Sequence, residues 1–276
     1  NAVIAPYLIS EFNINAQELG MLTSSYLFAF AVFQIPLGIL LDRYGARKVQ
    51  ITLMIFAGMG SLMFYFGNTL FELTLARAII GLGVAGCLMA TFKIISIWYD
   101  KNYWPILYGV CLSSGGLGAI VATKPLYFVV DNIGWRSVFL FLSFACFFIS
   151  FIIWYVTPEK NSIDNKDSPF IALKKIYTSK LFWRIAPLAG VSGGTGLAIQ
   201  GLWAGEWLRD VASLNQNEAT NMLLILNLSL LAGMILTGFM PNILRRFKLS
   251  QIDIYLLITI VLLVGHSILT FELIPK

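Results

Sequence analysis

Of the 14 acidic and 19 basic residues in the 276-residue sequence, only a few fall where an apolar stretch would take them out of water. Arg77 and Lys93 lie within one apolar run, Lys124 lies within another, and Asp42 closes a third. An ionised side chain at the centre of a bilayer costs about 3 kcal/mol or more, so such residues are placed for a purpose or reach for an interface. Their chemistry is recognition and pairing of charge, because the means of making or breaking bonds are missing. No loop carries paired carboxylates or a nucleophile beside a base, and no strand-loop-helix stands ready to cradle a phosphate. Cys87, Cys111 and Cys146 fall in apolar runs without metal-ligand spacing and read as small packing residues. No enzyme, metal site or cofactor is expected.

Spacing limits what the two buried bases can do together. Sixteen residues of helix place Arg77 and Lys93 about 24 Å apart, against a hydrocarbon thickness of about 30 Å. They point about 160° apart around the helix axis, so a straight helix cannot aim both into one cavity. Each could also snorkel to the nearer interface. Asp42 has a different problem. It sits at a helix C-terminus, the end of the macrodipole that repels an acid, and so calls for a cation or the start of another helix. Lys93 can supply that cation, or instead touch an anionic substrate.

The elements that position these residues are membrane spans. Hydrophobic residues make up 58% of the chain and charged ones 12%, against roughly 45–50% and 25% in soluble domains. Eight runs are long enough to cross a bilayer: 17–41, 49–67, 72–97, 104–130, 136–156, 183–206, 219–241 and 252–272. The apolar remnant before Ser10 reads as the tail of a preceding span, giving spans 1 to 9, and the chain reads as part of a longer one. Residues 157–182 form the one long polar connection. They divide an N-terminal bundle (1–156) from a partial C-terminal one (183–276). Thirteen Lys and Arg residues fall on the side of this connection and three on the other. The positive-inside rule therefore makes 42–48, 98–103, 157–182 and 242–251 cytoplasmic. The net charge of +5 sits in those loops and does not indicate nucleic acid.

The turn between spans 2 and 3 is the most specific motif: Gly38, Asp42, Arg43, Gly45, Arg47 and Lys48. Gly38 would let a neighbouring helix come close, and Gly45 suits a left-handed helix closure. It resembles the signature loop of the major facilitator superfamily, departing only at Ala46, where a basic residue is usual. The resemblance implies an all-α membrane fold of twelve helices, of which this chain would hold the remnant of helix 1 and helices 2–9. It also implies a conformational lock that forms when the cytoplasmic side closes, with a partner on helix 11. At an offset of 200 residues Gly38 meets Gly238, Asp42 meets Asn242, Asn15 meets Asn215 and Glu18 meets Glu218. Such an internal repeat fits parallel bundles related by an axis along the membrane normal.

Arg77 and the small residues after it resemble the superfamily's second motif, whose arginine faces the transport path. Gly81-Leu-Gly83-Val-Ala-Gly86 also spells a dinucleotide fingerprint, but no strand precedes it, and helix packing accounts for it. Span 5 carries Gly109, Gly115, Gly116 and Gly118 but lacks the Gly-Pro pair of drug antiporters. Gly134-Trp135-Arg136 resembles a turn of organic-anion members. Pro187 and four glycines predict a bent or unwound span 7, where Gln200 and Trp203 could line a site. Glu206 falls at the outer rim, and His266 lies late in a peripheral span. The expected protein is a secondary active transporter of a small organic solute, anionic and proton-coupled. It would be a monomeric, multi-pass protein of the cytoplasmic (inner) membrane, working by alternating access. A proton-driven drug or metabolite exporter, and a non-transporting sensor or inactive truncated chain, are the alternatives.

Overall fold

The computed structural model describes residues 3–158, 174–199 and 204–244. They are helical, with no strand among the described residues: α1 (Ala5–Phe12), α2 (Ala16–Tyr44), α3 (Ala46–Phe66), α4 (Leu70–Val84), α5 (Gly86–Trp98), α6 (Trp104–Val121), α7 (Lys124–Ile133), α8 (Trp135–Val156), α9 (Lys180–Ala198), α10 (Ala204–Asp210) and α11 (Gln216–Leu244). Five stretches are long and apolar enough to cross a membrane: Ala16–Tyr44, Ala46–Phe66, Leu70–Trp98, Lys101–Val121 and Trp135–Val156. They coincide with the first five expected spans. The expected spans at 183–206 and 219–241 overlap α9, α10 and α11, and the span at 252–272 lies outside the described residues.

Helix α4 is held between α2 and α3 by its small residues. A Cβ added at Gly81 would lie 2.2 Å from the Tyr26 carbonyl oxygen, and one at Gly83 would lie 2.3 Å from the Ala57 nitrogen. Those contacts bring backbone against backbone, so the glycine run serves helix packing. Helices α3 and α8 pack antiparallel, with Ser143 donating to the Gly58 carbonyl at 2.9 Å and Ser150 to Ile51 at 3.3 Å. Their ends are tied reciprocally. Arg47, at the start of α3, donates to the Trp154 carbonyl near the end of α8. Arg136, at the start of α8, donates to the Gly67 carbonyl just beyond α3 at 3.1 Å. Each cation thus satisfies carbonyls that a helix end leaves open. Both arginines follow a glycine of the same unusual backbone, Gly45 at φ 82°, ψ 153° and Gly134 at φ 82°, ψ 155°.

The offset of 200 is carried by geometry as well as sequence. Helices α2 and α11 begin at 16 and 216. Asn15 and Glu18 form a reciprocal capping box at 2.8 and 2.9 Å, and Asn215 and Glu218 repeat it at 3.0 Å each. Asn13 and Ser213, two residues before each cap, are the only positive-φ residues other than glycine among the described ones.

Two expected spans are less regular than their apolarity suggested. Span 5 is interrupted at Ala122–Thr123, giving α6 and α7. Pro125 has no N–H to give the Val121 carbonyl four residues back, and its ring crowds that carbonyl; Thr123 turns its hydroxyl onto the Ile120 carbonyl at 2.5 Å. Span 4 has a one-residue irregularity at Ala85, whose carbonyl accepts from Gln34 of α2 at 3.4 Å. Conversely, the bend expected from Pro187 and the nearby glycines does not appear before Ala198. Helix α9 runs through Pro187 for 19 residues.

Candidate functional site

Helix α2 ends two residues after Asp42, and α5 passes beside it carrying Lys93. The Lys93 Nζ donates to the Asp42 carboxylate at 2.5 Å and to the Leu41 carbonyl at 2.8 Å. One ammonium thus answers both the misplaced acid and an open carbonyl of the same helix terminus. The pair is uneven: the Lys93 side chain is 19% exposed and that of Asp42 68%. Of the two roles the sequence left open for Lys93, the structure shows the pairing with Asp42. The turn that follows depends on Gly45, whose backbone region is nearly closed to other residues. Of the remaining loop residues, Arg43 lies over the Tyr44 ring at 5.5 Å and Arg47 reaches α8. Lys48 is exposed. Gly38 has no described atom within 4 Å of an added Cβ, whereas Gly81 and Gly83 meet backbone of α2 and α3.

Arg77 does not snorkel. Its guanidinium carbon lies 4.8 Å from the Phe64 ring centre and 5.2 Å from that of Phe139. Those rings pack on each other at 4.1 Å and belong to α3 and α8. Seven residues from the start of α4, the cation sits about 10 Å into the helix. Its Nε is buried without a hydrogen-bond acceptor, and the aromatic faces take over part of the lost hydration. As the spacing required, Arg77 and Lys93 serve different surroundings.

Lys124 reaches a distant helix: its Nζ donates to Asn221 of α11 at 3.2 Å, a polar contact between α7 and α11. More than two turns away, α6 meets α11 directly. A Cβ at Gly116 would stand 3.0 Å from Leu231 Cδ1, whereas Gly115 and Gly118 meet nothing within 4 Å. Glu11 binds both the Trp135 indole at 2.8 Å and Arg136 at 2.9 Å, fastening α1 to α8. Gln200 and Trp203 lie outside the described residues, as does His266, and nothing is described of the Glu206 side chain. Gln34, Asn221 and the Trp154 carbonyl were not foreseen, since each is a polar group answering a need created on a distant helix.

A helical bundle with a glycine-ended, basic turn between its first long helices can be compared with known families. The model of the Major Facilitator Superfamily matches residues 1–274. The chain belongs to the major facilitator superfamily. It is 25% identical over 203 residues to the uncharacterized transporter YybO of Bacillus subtilis, covering 66% of this chain and 46% of that one. It is 25% identical over 141 residues to the probable sulfoacetate transporter SauU of Cupriavidus necator, covering 51% and 33%. It is 24% identical over 273 residues to the hexuronate transporter of Escherichia coli K12, covering 89% and 61%. The chain spans about half the length of the curated relatives it matches.

Proposed function

We propose that this chain is part of a secondary active transporter that carries a small organic anion across the membrane by alternating access. The observation that carries the reading is Arg77, a permanent cation held inside the bundle on two aromatic faces, with an Nε that has no hydrogen-bond acceptor. Burying a guanidinium is costly, and a carboxylate or sulfonate would supply the bidentate partner it suits. Relatives named for sulfoacetate, hexuronate and niacin support that substrate class. In this reading 1–156 forms one bundle, 183–276 part of the other, and 157–182 the cytoplasmic connection. Gln200 and Trp203 would add a hydrogen bond and an aromatic wall to the path. The loop from Gly38 to Lys48, with Lys93 as its internal counter-charge, would stabilise the state closed on that side.

The test is uptake by the full-length protein in proteoliposomes, with labelled hexuronate and sulfoacetate as probes. Arg77→Gln is expected to cut uptake at least tenfold and Arg77→Lys to restore only part of it, since a point charge cannot replace the planar fork. Unchanged uptake of both anions in Arg77→Gln would overturn the site. Proton coupling is tested in the same vesicles. An inward proton gradient should drive accumulation, and a protonophore should abolish it.

A further inference from the structure

Helices α2 and α3 do not close on each other along their shared end. Between them lies a cavity of about 420 Å³ lined by Phe33, Leu40, Tyr44, Lys48, Thr52 and Phe56, with Leu82 of α4 among the residues bounding it. Its walls are almost wholly apolar, and its polar groups gather at one end, where the chain turns at Gly45. Lys48 stands at that end, and Arg43 lies over the ring of Tyr44, another residue of the lining.

We infer that this groove holds one acyl chain of an anionic phospholipid, with the head-group phosphate on Lys48. Length argues for it. From Tyr44 to Phe33 is eleven residues of helix, about 16 Å. That is close to half the roughly 30 Å hydrocarbon thickness, the depth of one leaflet. A further helix of the chain would need a furrow running the whole span, and this one covers half. Charge argues for it too. The basic end lies at the membrane surface, where each Lys or Arg attracts anionic lipid, and the apolar end lies towards the midplane. The hydroxyls of Tyr44 and Thr52 give the ester region polar neighbours at the depth where it would sit.

The experiment places the full-length protein in phosphatidylcholine vesicles containing a diazirine-acyl phosphatidylglycerol or a diazirine-acyl phosphatidylcholine. Labelled peptides are then mapped after irradiation. Phosphatidylglycerol should label the segment from Phe33 to Phe56 preferentially. Lys48→Glu should lower that labelling at least about fivefold while leaving phosphatidylcholine labelling elsewhere unchanged. Thr52→Trp, an exposed position that would plug the groove, should remove labelling there by both lipids. Monodisperse elution of each variant in detergent controls for folding. Equal labelling by the two lipids, indifference to Lys48→Glu, or a groove shielded from both lipids by another part of the protein would each overturn the inference. None of these outcomes depends on which solute is carried.

Discussion

The meeting of Asp42 with Lys93 is one ammonium shared between a carboxylate and a backbone carbonyl. Because Asp42 is 68% exposed, solvent screens the pair, and its direct contribution to stability is about 0.2–1 kcal/mol. A double-mutant cycle of Asp42→Asn and Lys93→Met, followed by thermal unfolding in detergent, should give a coupling in that range. The larger effect belongs to transport. Either single change should slow uptake, and the exchanged pair Asp42→Lys with Lys93→Asp should recover part of it. Arg77 differs in kind: aromatic faces, not an acid, hold its charge. That arrangement could not be read from the chain, because Phe64 and Phe139 are two of 21 phenylalanines and nothing local marks them.

Among the helices, the sequence was most legible where a single physical rule dominated. Apolar length located five spans, and the offset of 200 paired Asn15 with Asn215 and Glu18 with Glu218, which the structure shows as matching helix caps. Legibility fell where two rules competed. Hydropathy ran straight through Thr123–Lys124–Pro125, while proline's missing donor broke the helix there. At Pro187 the outcome was reversed and the helix continued. The glycines show the same division, since spacing marks a small-residue face but not what meets it. Gly83→Leu should destabilise the bundle by about 1–3 kcal/mol or more, because backbone of α3 occupies the space. Gly38→Ala, with open space around it, should shift the unfolding temperature little. A melting temperature for Gly83→Leu equal to that of the parent would contradict the close α3–α4 crossing.

At the scale of the whole chain, α6 and α7 meet α11 along an antiparallel seam, tight at Gly116–Leu231 and polar at Lys124–Asn221. A Cβ at Gly116 would lie 3.5 Å from that of Leu231, at the short end of the range for a disulfide. A Gly116→Cys, Leu231→Cys pair should therefore cross-link on mild oxidation. The two halves should then migrate together on a gel after proteolysis within 157–182, and separate on reduction. If rocking of the bundles moves this seam, the oxidised protein should also stop transporting until it is reduced.

The matched caps of α2 and α11 carry a topological corollary. Helices that start with the same hydrogen-bonded box and stand 200 apart read as copies of one part. If both copies enter the bilayer from the same surface, the intervening polypeptide must traverse it an even number of times. Five traverses are accounted for by α2, α3, α4–α5, α6–α7 and α8, which leaves one more to be made before α11. The parity is satisfied only if the stretch from α9 to α10 reaches the far surface. A short tag placed at Ser213 should therefore be accessible from the same side as one at Asn13.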